Sequence, residues 1–104
     1  MDKNVNLVVR YAMRRAYRAF PDKFLVTGMD MPEIFGRRAE SVDEWDEWAR
    51  LLVAATGWLT RNGYLRGTYR LAGGKFQAQL EITDKGVSFF CEENTPLNIL
   101  LRGE

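Results

Sequence analysis

The feature that most constrains this chain is a change of hydrophobic period at Gly63. Upstream, apolar residues recur every three or four positions through residues 42–62, which predicts an amphipathic helix. Downstream, apolar and polar residues alternate within residues 64–82, which predicts strands. The pair Asn62-Gly63 between them is typical of a left-handed helix cap. The sequence therefore predicts a long helix that leads directly into β-structure.

The predicted helix over residues 42–62 begins with a clear capping pattern, and its apolar residues cover more than one face. Ser41 is a good N-cap, and Glu44 three positions later completes a capping box. A helix that is apolar nearly all round is usually buried on more than one side, so the second row is covered either by other helices of this chain or by a partner. The main face comprises Trp45, Trp48, Ala49, Leu52, Ala55, Thr56 and Leu59, and the second row comprises Leu51, Val53, Ala54, Gly57 and Trp58.

The alternating region predicts a hairpin. Residues 64–71 and 76–82 suit two strands, and the sequence Ala72-Gly73-Gly74 between them suits a tight turn. The inward side chains of the hairpin should pack on the helix. We expect one buried group made of Trp45, Leu52, Leu59, Phe76, Leu80 and Ile82.

Two helices are predicted before residue 42. Residues 4–20 have helical apolar spacing from Val5 to Phe20, and Pro21 ends that helix. A short helix should follow, with Asp30 as its cap, Pro32 near its start, Phe35 as its core contact and Gly36 as its end. Arg10, Arg14 and Arg18 form a basic stripe on the first helix, either solvated or turned to DNA phosphates or a partner's acids.

After the hairpin, one or two short helices are predicted. Thr83 should cap a helix that carries Val87, Phe89 and Phe90. A last turn or helix begins at Thr95-Pro96, and its apolar side comprises Leu97, Leu100 and Leu101.

Length and composition predict one domain over residues 1–104 without catalytic or metal chemistry. Hydrophobic residues make up 46% of the chain, which supplies a core without disulfides. With no His and a single Cys91, expected to be an inert thiol, there is neither a metal cluster nor a familiar nucleophile–base pair. Gly73-Gly74-Lys75 lacks the spacing of a phosphate loop. We therefore expect a non-enzymatic protein with no cofactor.

The sequence also favours a cytoplasmic location. The nearly uncharged stretch at residues 51–60 is too short to span a bilayer, and residues 5–9 are too short for a signal-peptide core. A lone cysteine gives no disulfide framework of the kind found in secreted proteins.

Two segments carry a resemblance to a known family. Trp58-Leu59 followed by Gly63-Tyr64-Leu65 looks like the end of the third helix in winged helix-turn-helix domains, and Ile82-Thr83-Asp84-Lys85-Gly86 looks like their step from the wing into the next helix. The predicted order of elements resembles the same family. Small uncharacterised winged-helix proteins of phages and other mobile elements are similar, including the pair Phe20-Pro21. The resemblance implies an α+β, mainly α fold with three helices, a two-stranded β-hairpin wing and one or two C-terminal helices.

The resemblance implies duplex DNA as a ligand, and the charge pattern supports this in one place and opposes it in another. The third helix would enter the major groove while the wing contacts the backbone. The opening of that helix is acidic, with Asp43, Glu44, Asp46 and Glu47, which phosphates would repel. The wing region is basic, and the candidate nucleic-acid contacts are Arg61, Arg66, Arg70, Lys75 and Lys85.

The alternative is a protein-interaction module that does not bind DNA, such as a dimeric accessory or inhibitor protein of a mobile element. The acidic helix opening and the surplus apolar residues favour this hypothesis. We expect a homodimer, since twofold dimers are the commonest assembly of soluble proteins. The basic stripe also complements the acids of residues 40–47. The candidate partner interface comprises Val53, Ala54, Trp58, Leu97, Leu100 and Leu101.

Overall fold

The computed structural model describes residues 3–91, apart from the side chains of Phe90 and Cys91. Within this range the chain is α+β and mainly helical, with one small antiparallel sheet of three strands. The turn predicted at Thr95-Pro96, with Leu97, Leu100 and Leu101, lies outside the described residues. The elements are α1 (Lys3–Ala19), β1 (Phe24–Thr27), a 3-10 turn (Gly28–Asp30), α2 (Met31–Phe35), α3 (Val42–Arg61), β2 (Leu65–Ala72), β3 (Lys75–Ile82) and α4 (Asp84–Cys91).

The predicted hairpin is confirmed. Strands β2 and β3 pair antiparallel from Ala72 opposite Lys75 to Leu65 opposite Ile82. Gly73 and Gly74 form the turn between them with φ of 58° and 76°, a left-handed conformation that glycine adopts at little cost. The turn therefore fixes the register of the whole hairpin.

The sheet is larger than the predicted two-stranded hairpin, because β1, which was not predicted, adds a third strand. It pairs antiparallel with β3, from Phe24 opposite Leu80 to Thr27 opposite Gln77, so the sheet order is β1-β3-β2. Four residues are too few for an alternating pattern to stand out in the sequence. Phe24 and Val26 are buried, whereas Leu25 between them is exposed.

The long helix α3 is confirmed within one residue of its predicted end, but its capping box differs. The Ser41 hydroxyl accepts a hydrogen bond from the Glu44 backbone N–H at 3.1 Å, as expected of an N-cap. The Glu44 carboxylate accepts from the backbone N–H of Glu40, at 2.8 Å, rather than from Ser41. The reciprocal bond of the box is therefore made by the residue before the N-cap.

The core lies between the sheet and the helices α1 and α3. Leu52, Leu59, Phe76, Leu80 and Ile82 are buried together as predicted, and Trp48 joins them. Trp45 was predicted to belong to this group but is only half-buried. It stands at the edge of the core because it lies in the first turn of α3, beside the hairpin turn.

The two helices before α3 follow the predictions with two corrections. Phe20 was predicted to face the core, but α1 ends at Ala19 and the ring is 53% exposed. Asp30 precedes α2 but makes no side-chain cap there; its carboxylate accepts from the Thr27 backbone N–H at 2.8 Å. Phe35, expected to be a core contact, is half-buried and stacks on Trp48 with ring centres 4.4 Å apart.

Thr83 begins α4 as predicted. Its hydroxyl accepts from the Gly86 backbone N–H at 3.0 Å and donates to the Gly63 carbonyl. One side chain therefore caps the last helix and ties it to the end of α3, and Phe89 of α4 is buried in the core.

Candidate nucleic-acid interface

The hairpin presents a polar surface on the side away from the core, which we call the outer sheet face. Successive side chains of a strand point to opposite sides, and the register places every second residue of β2 opposite every second residue of β3. The inner row of β3 is buried, whereas its outer row is exposed or half-buried. The outer sheet face comprises Arg66, Thr68, Arg70, Lys75, Gln77, Gln79 and Glu81.

Arg66 forms an ion pair on the outer sheet face, and this pair is open to solvent. Its Nε lies 2.8 Å from a carboxylate oxygen of Glu81, directly opposite on β3. The Arg66 side chain is 68% exposed, and ion pairs of this kind contribute about 0–1 kcal/mol to stability. A phosphate oxygen can therefore replace Glu81 as the partner at little cost.

Arg70 and Lys75 border an open groove of about 470 Å³ between the hairpin and the 3-10 turn. Trp45 forms its floor and donates a hydrogen bond from its indole nitrogen to the Gly74 carbonyl, at 3.0 Å. Gly28 makes room for that ring, because a Cβ at this position would lie 2.6 Å from Trp45 Cζ2. The hairpin turn is thus anchored to the first turn of α3.

Lys85 and Arg61, the other predicted contacts, lie off the outer sheet face. The Lys85 ammonium donates to the carbonyl of Asn62 at 2.7 Å and lies 4.5 Å from the centre of the Tyr64 ring. It therefore closes the C-terminal end of α3. Arg61 is exposed and packs over Gly57, where a Cβ would lie 2.8 Å from its guanidinium. The structure places Arg66, Arg70 and Lys75 on one face of the hairpin and these two residues off that face.

Of the four acids at the start of α3, Glu44 and Asp46 lie against other parts of the chain, whereas Asp43 and Glu47 are exposed. Glu44 accepts two parallel hydrogen bonds of 2.7 Å from Arg37. These bonds, together with the hydrogen bond from the Glu40 backbone N–H, lower the pKa of Glu44 to about 2. Asp46 lies against the hairpin turn, 3.5 Å from a Cβ placed on Gly74. Asp43 and Glu47 are exposed. The helix that would enter a DNA groove therefore keeps negative charge on its surface.

A second basic surface, which we call the arginine groove, lies between α1 and α2. The sequence pattern identified the stripe of Arg10, Arg14 and Arg18 but missed Arg15, because its partners Asp30 and Leu25 come from other elements. The groove has a volume of about 290 Å³. It is lined by Leu7, Arg10, Tyr11, Arg14, Arg15, Arg18, Glu33 and Ile34.

A hydrogen-bonded network holds the wall of the arginine groove. The Tyr11 hydroxyl donates to Asp30 at 2.6 Å and accepts from Arg15 at 2.8 Å, while Arg15 lies 3.1 Å from the same Asp30 oxygen. Burial and the bond to Asp30 raise the pKa of Tyr11 to about 12. Burial, with the like charge of Arg14, lowers the pKa of Arg10. The groove therefore brings four arginine side chains of α1 beside a single acid, Glu33, among the residues that line it.

The three residues of α3 in the predicted partner interface differ in their exposure. Val53 and Trp58 are half-buried against the core, and Trp58 stacks on Tyr64 with ring centres 5.8 Å apart. Ala54 is exposed. The back of α3 is therefore partly covered by the chain itself.

The described residues contain neither a metal-binding arrangement nor a helix long and apolar enough to cross a membrane. Comparison with family models, curated proteins and solved structures finds no match to this chain.

Proposed function

We propose that this chain is a non-enzymatic winged-helix protein that binds duplex DNA by phosphate contacts from the outer sheet face. The order of helix, short helix, helix, hairpin and helix supports the winged-helix assignment, as does the helix end at Gly63. In this assignment α3 is the third helix of the fold and the hairpin is the wing.

The observation that carries the proposal is the composition of the outer sheet face. Arg66 and Arg70 lie four residues apart on one strand of this face, with Thr68 between them, and Lys75 stands on the neighbouring strand. Thr68, Gln77 and Gln79 add neutral hydrogen-bond donors between the charges. Cations with interspersed polar donors bind phosphate oxygens and carry little sequence information.

The acidic opening of α3 determines the mode of binding. Asp43 and Glu47 stand on the helix surface that would read base edges, and phosphates on either side of the groove repel them. The proposed protein therefore binds the DNA backbone through its hairpin with weak base preference and strong salt dependence.

Fluorescence anisotropy with a labelled random-sequence duplex, over a series of salt concentrations, tests this proposal. The logarithm of the parent's binding constant should fall linearly with the logarithm of the salt concentration. Arg66→Ala with Arg70→Ala should flatten this slope by about 0.9 for each lost phosphate contact. The matched control is Lys23→Ala with Arg38→Ala, which removes the same charge elsewhere and should keep the parent slope. Equal slopes in both variants would reject the hairpin as the contact, and no parent binding at low salt would reject DNA as the ligand.

A protein-interaction module that does not bind DNA is the second candidate. The exposed Asp43 and Glu47 favour it, because they oppose groove binding whatever the hairpin does. Ala54 is the exposed member of the predicted interface among the described residues, and it gives the test. If the chain forms a dimer whose seam lies on the back of α3, Ala54→Arg should dissociate that dimer in light scattering, whereas an unchanged dimer would exclude this seam.

A further inference from the structure

The arginine groove has more positive charge than its own acids offset. Arg15 is engaged with Asp30, and Glu33 is the acid that lines the groove among residues 3–91. Arg14 and Arg18 lie four residues apart on α1 and are exposed. Side chains at this spacing are neighbours on one helix face, about 5–6 Å apart at Cβ. The groove therefore offers a pair of adjacent guanidinium groups to an outside anion.

The start of α3 offers the complementary pair. Asp43 and Glu47 are also four residues apart on one helix face, and both are exposed. Glu44 between them is turned into its ion pair with Arg37. The two negative charges thus repeat at the same interval as the two positive charges of the groove, so two helices laid side by side can match both pairs.

Exposed apolar side chains flank both surfaces. Val42, next to Asp43, is 76% exposed, and Tyr17, beside Arg14 and Arg18 on α1, is 46% exposed. Large apolar side chains next to charges are typical of protein interfaces, where the apolar contact excludes water and the charges set the orientation. This combination favours a protein surface as the occupant of the groove rather than a small anion.

We infer that the arginine groove of one copy of this chain receives the acidic start of α3 from a second copy, with Arg14 and Arg18 facing Asp43 and Glu47. Both surfaces border α2: Glu33 of α2 lines the groove, and Arg37 just after α2 binds Glu44 of α3. A twofold axis beside α2 makes the same contact form twice, which closes the dimer. The outer sheet face, on the hairpin, takes no part in this contact.

Charge reversal tests the pairing. Arg14→Glu with Arg18→Glu makes the groove acidic, and Asp43→Arg with Glu47→Arg makes the start of α3 basic. In sedimentation velocity at low salt without nucleic acid, the parent should dimerise, and each variant alone should raise the dimer dissociation constant more than about tenfold, because like charges then face each other. An equimolar mixture of the two variants should form a heterodimer, because both contacts regain opposite charges.

The controls separate this seam from the other surfaces. Lys23→Glu with Arg70→Glu changes the net charge as much as the groove variant and should leave the dimer intact, as should Ala54→Arg on the back of α3. Circular dichroism establishes that each variant is folded. A parent chain that stays monomeric at low salt, or reversed variants that fail to associate when mixed, would overturn the inference. Neither result depends on whether the chain binds DNA.

Discussion

The indole nitrogen of Trp45 donates a hydrogen bond to the carbonyl oxygen of Gly74, 29 residues further along the chain, at 3.0 Å. This bond joins the first turn of α3 to the turn of the hairpin. It accounts for the half-buried position of Trp45, which the sequence pattern placed in the core: the ring lies at the edge of the core, where its nitrogen reaches the Gly74 carbonyl.

Trp45→Phe should loosen the hairpin turn without unfolding the sheet. The variant keeps an aromatic ring but loses the hydrogen bond, so the free energy of unfolding should fall by about 1 kcal/mol. Backbone amides at residues 73–76 should exchange with solvent faster. Trp58→Phe is the matched control, because it keeps a ring against Tyr64 far from the turn and should leave that exchange unchanged. Equal exchange in both variants would show that the bond does not anchor the turn.

Glu44 should make stability depend on acid pH. Its pKa is about 2 in the folded chain and lies at its ordinary 4.5 in the unfolded chain, so the unfolded chain takes up a proton first as the pH falls. The stabilisation is therefore complete above about pH 4.5 and is lost as the pH falls toward about 2. Urea unfolding across this range should show a steeper loss for the parent than for Arg37→Gln. Parallel curves would contradict the assignment, and an NMR titration of the Glu44 carboxyl carbon gives its midpoint directly.

Lys85 distinguishes a role in the fold from a role in DNA binding. Lys85→Met removes the donor to Asn62 and the cation above Tyr64, so stability should fall by about 0.5–1.5 kcal/mol. The salt slope of DNA binding should not change. Arg70→Met should do the reverse, with a flatter slope and little loss of stability. A flatter slope for Lys85→Met would return this residue to the DNA contacts.

Strong local signals allowed much of the fold to be predicted. Helix α3 has an N-cap at Ser41 and a glycine at its end, and the turn at Gly73-Gly74 separates two alternating stretches. Such signals depend on residues that are close together in the chain, so they can be recognised without knowledge of tertiary contacts. The burial of Leu52 and Leu80 follows from the same periodicity.

The rest depended on contacts between distant residues. Strand β1 is defined by its pairing with β3, and nothing in residues 24–27 alone indicates that partner. Lys85 looked like a wing cation because its partner Asn62 lies 23 residues away. The arginine groove required Asp30 and Tyr11 to position Arg15, a set that meets only in the folded chain.

The alternation of the hairpin separates the side chains that hold the fold from those that can vary. Phe76, Ala78 and Leu80 on the inner side of β3 are buried, while Gln77 and Gln79 on the outer side are exposed. Residues of the outer row can therefore be exchanged in combination with little effect on folding. Substitution can therefore change the chemistry of the outer row while the buried inner row keeps the two strands in place.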